Sequence, residues 1–362
     1  MRFSRQVLTQ VGILLAFTSP AVFAQENFDA KVDAALAEAK KWPCVIRSDI
    51  GVTRRGTRIP CLITADDLDY STKKTRILVV GLGTIPKPEE SSLALMKWFS
   101  THDDAKPFRK KFALSIVPML NVDGWAARQI GSNLSNGHPS AGYPPKGNAY
   151  NSPTDPEAAY VWRWIGMHAP DLVIYLGPGS TVGMFVPEND LPQMKRLPKG
   201  ALPMQNVDDD LVSQLVRNKP ANVGAVPCVR IDSDPRGLQQ WLVRIMQSEF
   251  SGPSPARREI QRRLKRTPIE VAQQLAKRYG HDLNSVAYIP ALALVGRIRL
   301  GELTNDASHL ADVERIVKPY VEGKKPTLGK RFGGSNLSGH LIFGELARAT
   351  KKQRYVELVQ IA

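Results

Sequence analysis

Three carboxylates and one polar turn are the parts of this chain from which chemistry could be assembled. Asp232 closes the apolar run Val226–Ile231, and Glu89 and Glu90 follow the apolar stretch Ile77–Val80. A carboxylate pair is the least that acid–base hydrolysis of a glycan or peptide requires, so Asp232 with Glu89 or Glu90 is a candidate catalytic set with roles left open. The turn is Asn121-Val122-Asp123-Gly124, in which Asn121 and Asp123 are candidates for binding a substrate. Other constellations carry less. His309 and Asp312 lie three apart on an expected helix and read as a solvated or capped pair before a metal seat. His340 reads as a semi-buried histidine, or as the wall of a sugar pocket. Gly81-Leu82-Gly83 after a strand lacks the third glycine and the acidic ribose ligand of a dinucleotide turn. A Gly-x-Ser-x-Gly elbow does not occur, which argues against an α/β-hydrolase.

The elements that must position these residues are legible as alternating strands and helices. Phe112, Leu114 and Ile116 alternate at strand period, and Pro118 with the turn Asn121–Gly124 ends the run, so a strand delivers a polar turn to a sheet edge. Ile77–Val80 is a solid apolar run of the kind buried on both faces of a sheet. Ile50–Pro60 reads as a hairpin around a basic, Gly-containing turn. Helices are expected over 28–41, 91–99 and 155–168, and a further strand over 171–176. That order predicts an α/β fold with a mixed sheet between helical layers. Residues 129–155, rich in Gly, Ser, Asn and Pro, form a long loop over the sheet edge. Glu157, behind Asp155-Pro156, reads as an N-terminal charge on the helix dipole. Trp162 and Trp164, two apart on that helix, cannot share a face.

At Phe112–Gly124 the chain resembles the zinc carboxypeptidases, whose sheet carries a strand ending in Pro-x-x-Asn-Pro-Asp-Gly; here Val122 replaces the inner proline. The hairpin Ile50–Ile59 is similar to that family's opening Ile-Gly-x-Ser-x-x-Gly-Arg-x-Ile. The resemblance spans Ile50 to about Arg244 and implies an α/β/α sandwich built for metallocarboxypeptidase chemistry. It also implies a zinc held by His-x-x-Glu after the strand Ile77–Val80 and by a later histidine. The first position contains Gly81–Glu90, with Glu89 and Glu90 as heirs of the glutamate but no imidazole. The second contains Gly177-Pro178-Gly179 behind Asp171–Leu176. Asp232 matches the family's general base, one methylene shorter. The substrate-gripping Arg beside an Asn should fall within 129–155, where Asn148 is present and Lys146 is the substitute cation. Glu157 matches the family's acidic helix start. Zinc is thus the cofactor the family implies and the ligands for it are missing, so none is expected.

Residues 1–24 read as a signal peptide: Arg2 and Arg5, an apolar core Val11–Phe17 and a Val-Phe-Ala cleavage site. The apolar run is shorter than the ~20 residues of a spanning helix, so export to a periplasm or beyond is expected, with a membrane anchor as the alternative. Three cysteines allow one disulfide, and Cys44 with Cys61 is the pair to test first, against two buried thiols. The remainder is expected to divide into an α/β domain, 25–250, and a basic helical segment, 251–362, after Ser251-Gly252-Pro253-Ser254-Pro255. Expected helices there are 256–266, 268–279, 286–303, 308–321, 337–349 and 353–361. The run Ser338–Arg348 with Arg354-Tyr355 is faintly similar to the helical toroids of unsaturated uronyl hydrolases. Tyr355, Leu358, Val359 and Ala362 share one apolar face with nothing after it, which predicts the opening portion of a larger domain. The net charge of +15 is concentrated in this segment. In an exported protein that surplus points to acidic polysaccharide, surface anions or lipid rather than nucleic acid, with an unspecific basic surface as the alternative. The leading expectation is therefore a carboxypeptidase-like protein with a degenerate zinc site that binds, or helps a partner domain bind, peptide or glycan. An active hydrolase of cell-wall peptide or acidic glycan is the alternative, and oligomeric state is left open.

Overall fold

A computed structural model describes residues 34, 36–82, 88–127, 129, 131–177, 182–187, 198–204, 208–249, 252–329 and 333–362, with the backbone alone for 88–90. The signal peptide expected over 1–24, the start of the helix expected over 28–41, residues 83–87 and Pro178-Gly179 lie outside the described residues. The chain divides into two compact units, one ending at Arg263 and one comprising Leu264–Ala362. Among the described residues, no helix is long and apolar enough to cross a membrane.

The first unit is an α/β fold on an eight-stranded mixed sheet of order β1-β2-β4-β3-β5-β8-β6-β7. The strands are β1 Val45–Val52, β2 Arg58–Thr64, β3 Thr75–Gly81, β4 Phe112–Val117, β5 Leu172–Leu176, β6 Gly183–Pro187, β7 Ala201–Met204 and β8 Cys228–Asp232. The four central strands β4, β3, β5 and β8 are parallel, whereas β1, β2 and β6 each pair antiparallel with a neighbour. Central parallel strands are covered on both faces, which is why β3 and β5 are nearly continuous apolar runs. Period-2 alternation then sorts their side chains into two cores. Ile77, Val79 and Ile174 join Met96, Phe99 and Leu242 from the helices Pro88–Thr101 and Pro235–Met246 on one face. Leu78, Val80 and Val173 join Val161 and Ile165 from the helix Pro156–His168 on the other.

Most of the local expectations hold. The hairpin turns through Thr53–Thr57, with the Thr53 N–H donating to the Thr57 carbonyl at 2.9 Å and Gly56 at φ +83. Asp155 caps the helix Pro156–His168, its carboxylate accepting from the Ala158 N–H. Trp162 and Trp164 point apart: Trp162 lies against Tyr143 with ring centres 5.7 Å apart, and Trp164 stacks on His168 at 5.3 Å. The cysteine pairing needs correction. In the β1–β2 ladder Cys61 faces Ser48, while Cys44 sits beyond the last pair, Val45 with Thr64. Cys44 is exposed, Cys61 and Cys228 are buried, and all three are free thiols.

The helical unit, taken by itself, has its own core of Leu294, Ile298, Val317, Tyr320, Phe343 and Leu346. Helices run at Pro268–Ala276, Tyr288–Thr304, Ser308–Val321, Gly334–Gly339, Leu341–Thr350 and Gln353–Gln360. The helix expected over 337–349 is thus two, separated at His340. A Cβ on Gly339 would fall 2.6 Å from the Ala287 N, so the backbone just before this break packs against the start of the Tyr288 helix. Tyr355 and Leu358 of the last helix are buried against the core, while Val359 and Ile361 stay largely exposed.

One polar cluster ties the α/β unit together beneath its sheet. The Asp67 carboxylate is fully buried and accepts from Arg76 Nε at 2.7 Å and His168 Nε2 at 2.8 Å, and from the Ser115 hydroxyl. The Arg76 backbone N–H donates in turn to Asp171 Oδ2 at 2.9 Å, which also takes Arg257 Nη1 at 2.5 Å. Arg257 lies on the helix Pro255–Leu264, so the chain beyond Ser254 continues in the α/β unit. Burial would raise the Asp67 carboxyl, but His168, Arg76 and Ser115 outweigh it and hold it below its usual range. A depressed carboxyl contributes stability that is present above the unfolded pKa and lost as pH falls through the folded one. Asp67→Ala should therefore cost about 3–5 kcal/mol at neutral pH, because it strands Arg76 without its counter-ion. Asp67→Asn should flatten the acid limb of the stability curve. Urea midpoints between pH 3 and pH 7 measure both; a neutral-pH midpoint unchanged in Asp67→Ala would show that the cluster is dispensable.

Candidate functional site

Parallel strands present their C-terminal ends on one edge, the usual place for a ligand in open α/β sheets. Here that edge is formed by Leu82 after β3, Asn121–Gly124 after β4, Gly177 after β5 and Asp232 at the end of β8. The Leu120 N–H donates to the Gly81 carbonyl at 2.7 Å and the Asn121 N–H to the Leu82 carbonyl at 3.2 Å, so the two segments leave the sheet as a pair. Asn121 is buried and turned to structural use. Its Oδ1 caps the helix Val122–Ala126 by accepting from the Gly124 N–H, and its Nδ2 donates to the Ser132 carbonyl at 2.8 Å. Asp123 is also buried and accepts from the Thr57 hydroxyl at 2.6 Å, tying the β1–β2 turn to the sheet edge.

Asp232 and Gly177 interlock. Asp232 is buried, with Oδ2 3.3 Å from Arg230 Nη2, and the Arg230 guanidinium lies 4.5 Å over the Phe185 ring. A Cβ at Gly177 would fall 2.2 Å from Asp232 Oδ1 and 2.6 Å from Arg230 Cδ. The backbone of residue 177 therefore passes directly beneath the carboxylate, and a larger side chain has no room there. This bears on the zinc that the family resemblance implies. A hydrolytic zinc takes three protein ligands and keeps a position for water. Among the described residues, no group of three or more His, Cys, Asp or Glu is placed to hold a metal. At the positions where the resemblance implies zinc ligands, residue 177 is a glycine overlain by Asp232 and Arg230, and the segment after β3 contains no imidazole. Glu89 and Glu90 stand in the first turn of the helix Pro88–Thr101, and their side chains lie outside the described residues.

The two loop candidates separate. Lys146 lines a cavity of about 450 Å3 together with His138, Asp155 and Asp209. Asn148 lines a second cavity of about 630 Å3, and its side chain accepts from the Asn151 N–H at 3.1 Å, capping the short turn Ala149–Asn151. The structure therefore gathers Asn121, Asp123 and Asp232 near the strand ends and places Lys146 and Asn148 on separate walls of the 129–155 loop. In the helical unit, His309 and Asp312 are bridged by Arg297, which holds Asp312 Oδ2 at 2.5 Å and lies 3.4 Å from His309 Nδ1. His340 is buried edge-on to Phe343.

Glu157 is the residue whose setting the sequence least foretold. It is 2 % exposed, so it is more than a surface charge at a helix start. Its Oε2 accepts from Asn133 Nδ2 at 2.8 Å, and the same amide nitrogen donates to the Thr154 carbonyl. Asn133 Oδ1 meanwhile accepts the Ser135 and Gly137 N–H groups, so one buried pair pins the start of the long loop. Burial pushes the Glu157 carboxyl up to about 7, with the Asn133 hydrogen bond opposing and the Asp155 and Asp123 charges adding to the rise. The short acidic run before a helix is the signal in the sequence; its burial is not. A carboxyl whose folded pKa lies above the unfolded value of 4.5 costs stability as pH rises between the two. At about 1.4 kcal/mol per unit the cost is on the order of 3 kcal/mol above neutral pH. Glu157→Gln keeps an acceptor for Asn133 and removes the charge. The variant should match the parent near pH 4 and exceed it increasingly up to pH 8 in melting temperature. A difference independent of pH would show that the carboxyl ionises as it does in water.

No protein-family model matches the chain, and no curated protein matches it. Among solved structures it is similar to a metallo-carboxypeptidase from Burkholderia cenocepacia at 12% identity, covering 65% of this chain and 69% of that one, with a TM-score of 0.47. It is similar to a metallo-carboxypeptidase from Pseudomonas aeruginosa in complex with (2-guanidinoethylmercapto)succinic acid at 14% identity, covering 60% and 68%, with a TM-score of 0.45. It is also similar to the carboxypeptidase A from Helicoverpa armigera at 12% identity, covering 60% and 69%, with a TM-score of 0.41.

Proposed function

We propose that this is an exported protein whose carboxypeptidase-like α/β unit binds the end of a peptide or glycan chain without hydrolysing it, and so supports a partner domain that acts on the same material. The observation that carries this reading is the interlock of Gly177 with Asp232 and Arg230, 2.2 Å and 2.6 Å from where a Cβ would stand. A zinc ligand at 177 requires both side chains to move, and without an activated water a base at Asp232 has no nucleophile to generate. The burial of Asp232 supports the same reading, since a general base must reach the proton it removes.

Zinc content and turnover test it together. The mature chain, dialysed at neutral pH, should retain well under one zinc per molecule and should not release residues from peptides with free C-termini. Stoichiometric zinc that survives dialysis, with turnover abolished by a chelator, overturns the proposal. Turnover that survives the chelator and disappears in Asp232→Asn selects instead the hydrolase that uses Asp232 with Glu89 or Glu90.

A further inference from the structure

The cavity of about 630 Å3 has a wall of one sign. It opens between the loop 144–149, the helix Pro156–His168 and the turn 217–222, and its lining includes Arg163, Arg217 and Lys219 with no Asp or Glu. Asn148, Asn218 and Trp162 complete its polar and aromatic surface. The fold builds this wall rather than leaving it to chance. Ala159, Arg163 and Gly166 recur at i, i+4 and i+7, hence on one helix face. A Cβ on Gly166 would fall 2.7 Å from the Ala221 Cβ and the Pro220 carbonyl carbon, so only glycine lets the turn close on the helix. Ala221 and Asn222 both take left-handed backbone angles, φ 50 and φ 56, and line the cavity together with Arg163. Trp162 is held from beneath by Tyr143, whose hydroxyl donates to the Pro139 carbonyl at 2.6 Å.

The charges around the cavity have little to neutralise them. Arg217 Nη1 lies 3.7 Å from Asp208, a fully exposed side chain, and an exposed pair of that kind is worth little. Arg163 and Lys219 have no carboxylate within ion-pair distance among the described residues. Three cations gathered around one concavity repel each other and attract an anion. A guanidinium pairs with a planar carboxylate through two hydrogen bonds, asparagine amides both donate and accept as sugar hydroxyls require, and an indole takes an apolar ring face. The volume lies within the range of small-ligand sites. We propose that this cavity binds a carboxylate-bearing saccharide, the end of an acidic glycan chain. The site stands without the reading at the strand ends and places glycan contact in the α/β unit rather than in the more basic helical segment.

Calorimetric titration of the full chain with oligogalacturonate tests it, with the methyl-esterified oligomer, an oligoglutamate of equal charge and single-stranded DNA as comparison ligands. Oligogalacturonate should bind, and Arg163→Ala with Lys219→Ala should weaken it about tenfold or more, at unchanged melting temperature. The esterified oligomer should bind weakly to the parent. Lys324→Ala with Lys325→Ala, on the helical unit, should leave affinity unaltered. The proposal fails if oligoglutamate or DNA binds as tightly as the uronate, if the helical-unit variant alone loses binding, or if none of the four ligands binds. Zinc content and peptide turnover are unaffected by any of these outcomes, so the two proposals fail separately.

Discussion

The α/β unit depends on a carboxylate placed where water cannot reach it. Asp67 collects donors from the start of β3, the middle of β4 and the end of the helix Pro156–His168, and through Arg76 and Asp171 the same cluster reaches Arg257. A buried ion pair adds little net stability over an apolar replacement, but breaking one member leaves a charge that the interior cannot solvate. A strand order or helix register that separates Arg76 from Asp67 leaves a bare charge in the core. It lies at the N-terminal ends of the central parallel strands, which leaves their C-terminal ends for other uses.

At those C-terminal ends the polar residues turn inward. Asn121 caps a helix, Asp123 holds the β1–β2 turn, Glu157 and Asn133 pin the long loop, and Asp232 lies over Gly177. Asn121, Asp123, Asn133 and Glu157 are hydrogen-bonded within the protein, which is the signature of support rather than of a reacting group waiting for a substrate. A hydrolytic centre concentrates unsatisfied or metal-bound polarity at this edge. Arg163, Arg217 and Lys219 line a cavity beside the helix Pro156–His168 whose lining includes no Asp or Glu. Support at the strand ends and a cationic cavity on a flanking helix are the two features on which the proposed binding roles rest.

The long loop 129–155 joins these two regions. Its first turn is anchored by Asn133 on Glu157, its middle by Tyr143, whose N–H donates to the Asp209 carbonyl, and its end by Asp155 on the following helix. Lys146 and Asn148 fall between the anchors and so face two different cavities. A loop tied at three points presents its side chains in fixed positions with little regular structure beyond the short 3-10 turn Ala149–Asn151.

By itself the sequence determined the elements whose signals are local. The apolar runs of β3, β4 and β5, the glycine turn of the first hairpin, the Asp155 cap and nearly every helix after Pro255 follow from periodicity, caps and breakers within a dozen residues. It also contains no histidine in Gly81–Glu90 or Gly177–Gly179, the segments where the family resemblance implies zinc ligands. Tertiary structure alone decided the rest. The strands β6 and β7 are four or five residues long and carry prolines at 187 and 203, so only pairing beside β8 marks them as strands. Asp67 and His168 are 101 positions apart, and nothing near either one names the other. Glu157 has the local pattern of a surface helix start and is buried because a loop arriving from Asn133 covers it. Gly177 and Asp232 meet only because β5 and β8 are neighbours in the sheet. Periodicity reports which face of an element is apolar, while burial of a charge or crowding at a glycine depends on which other element arrives there, and that is set by the packing of the whole chain.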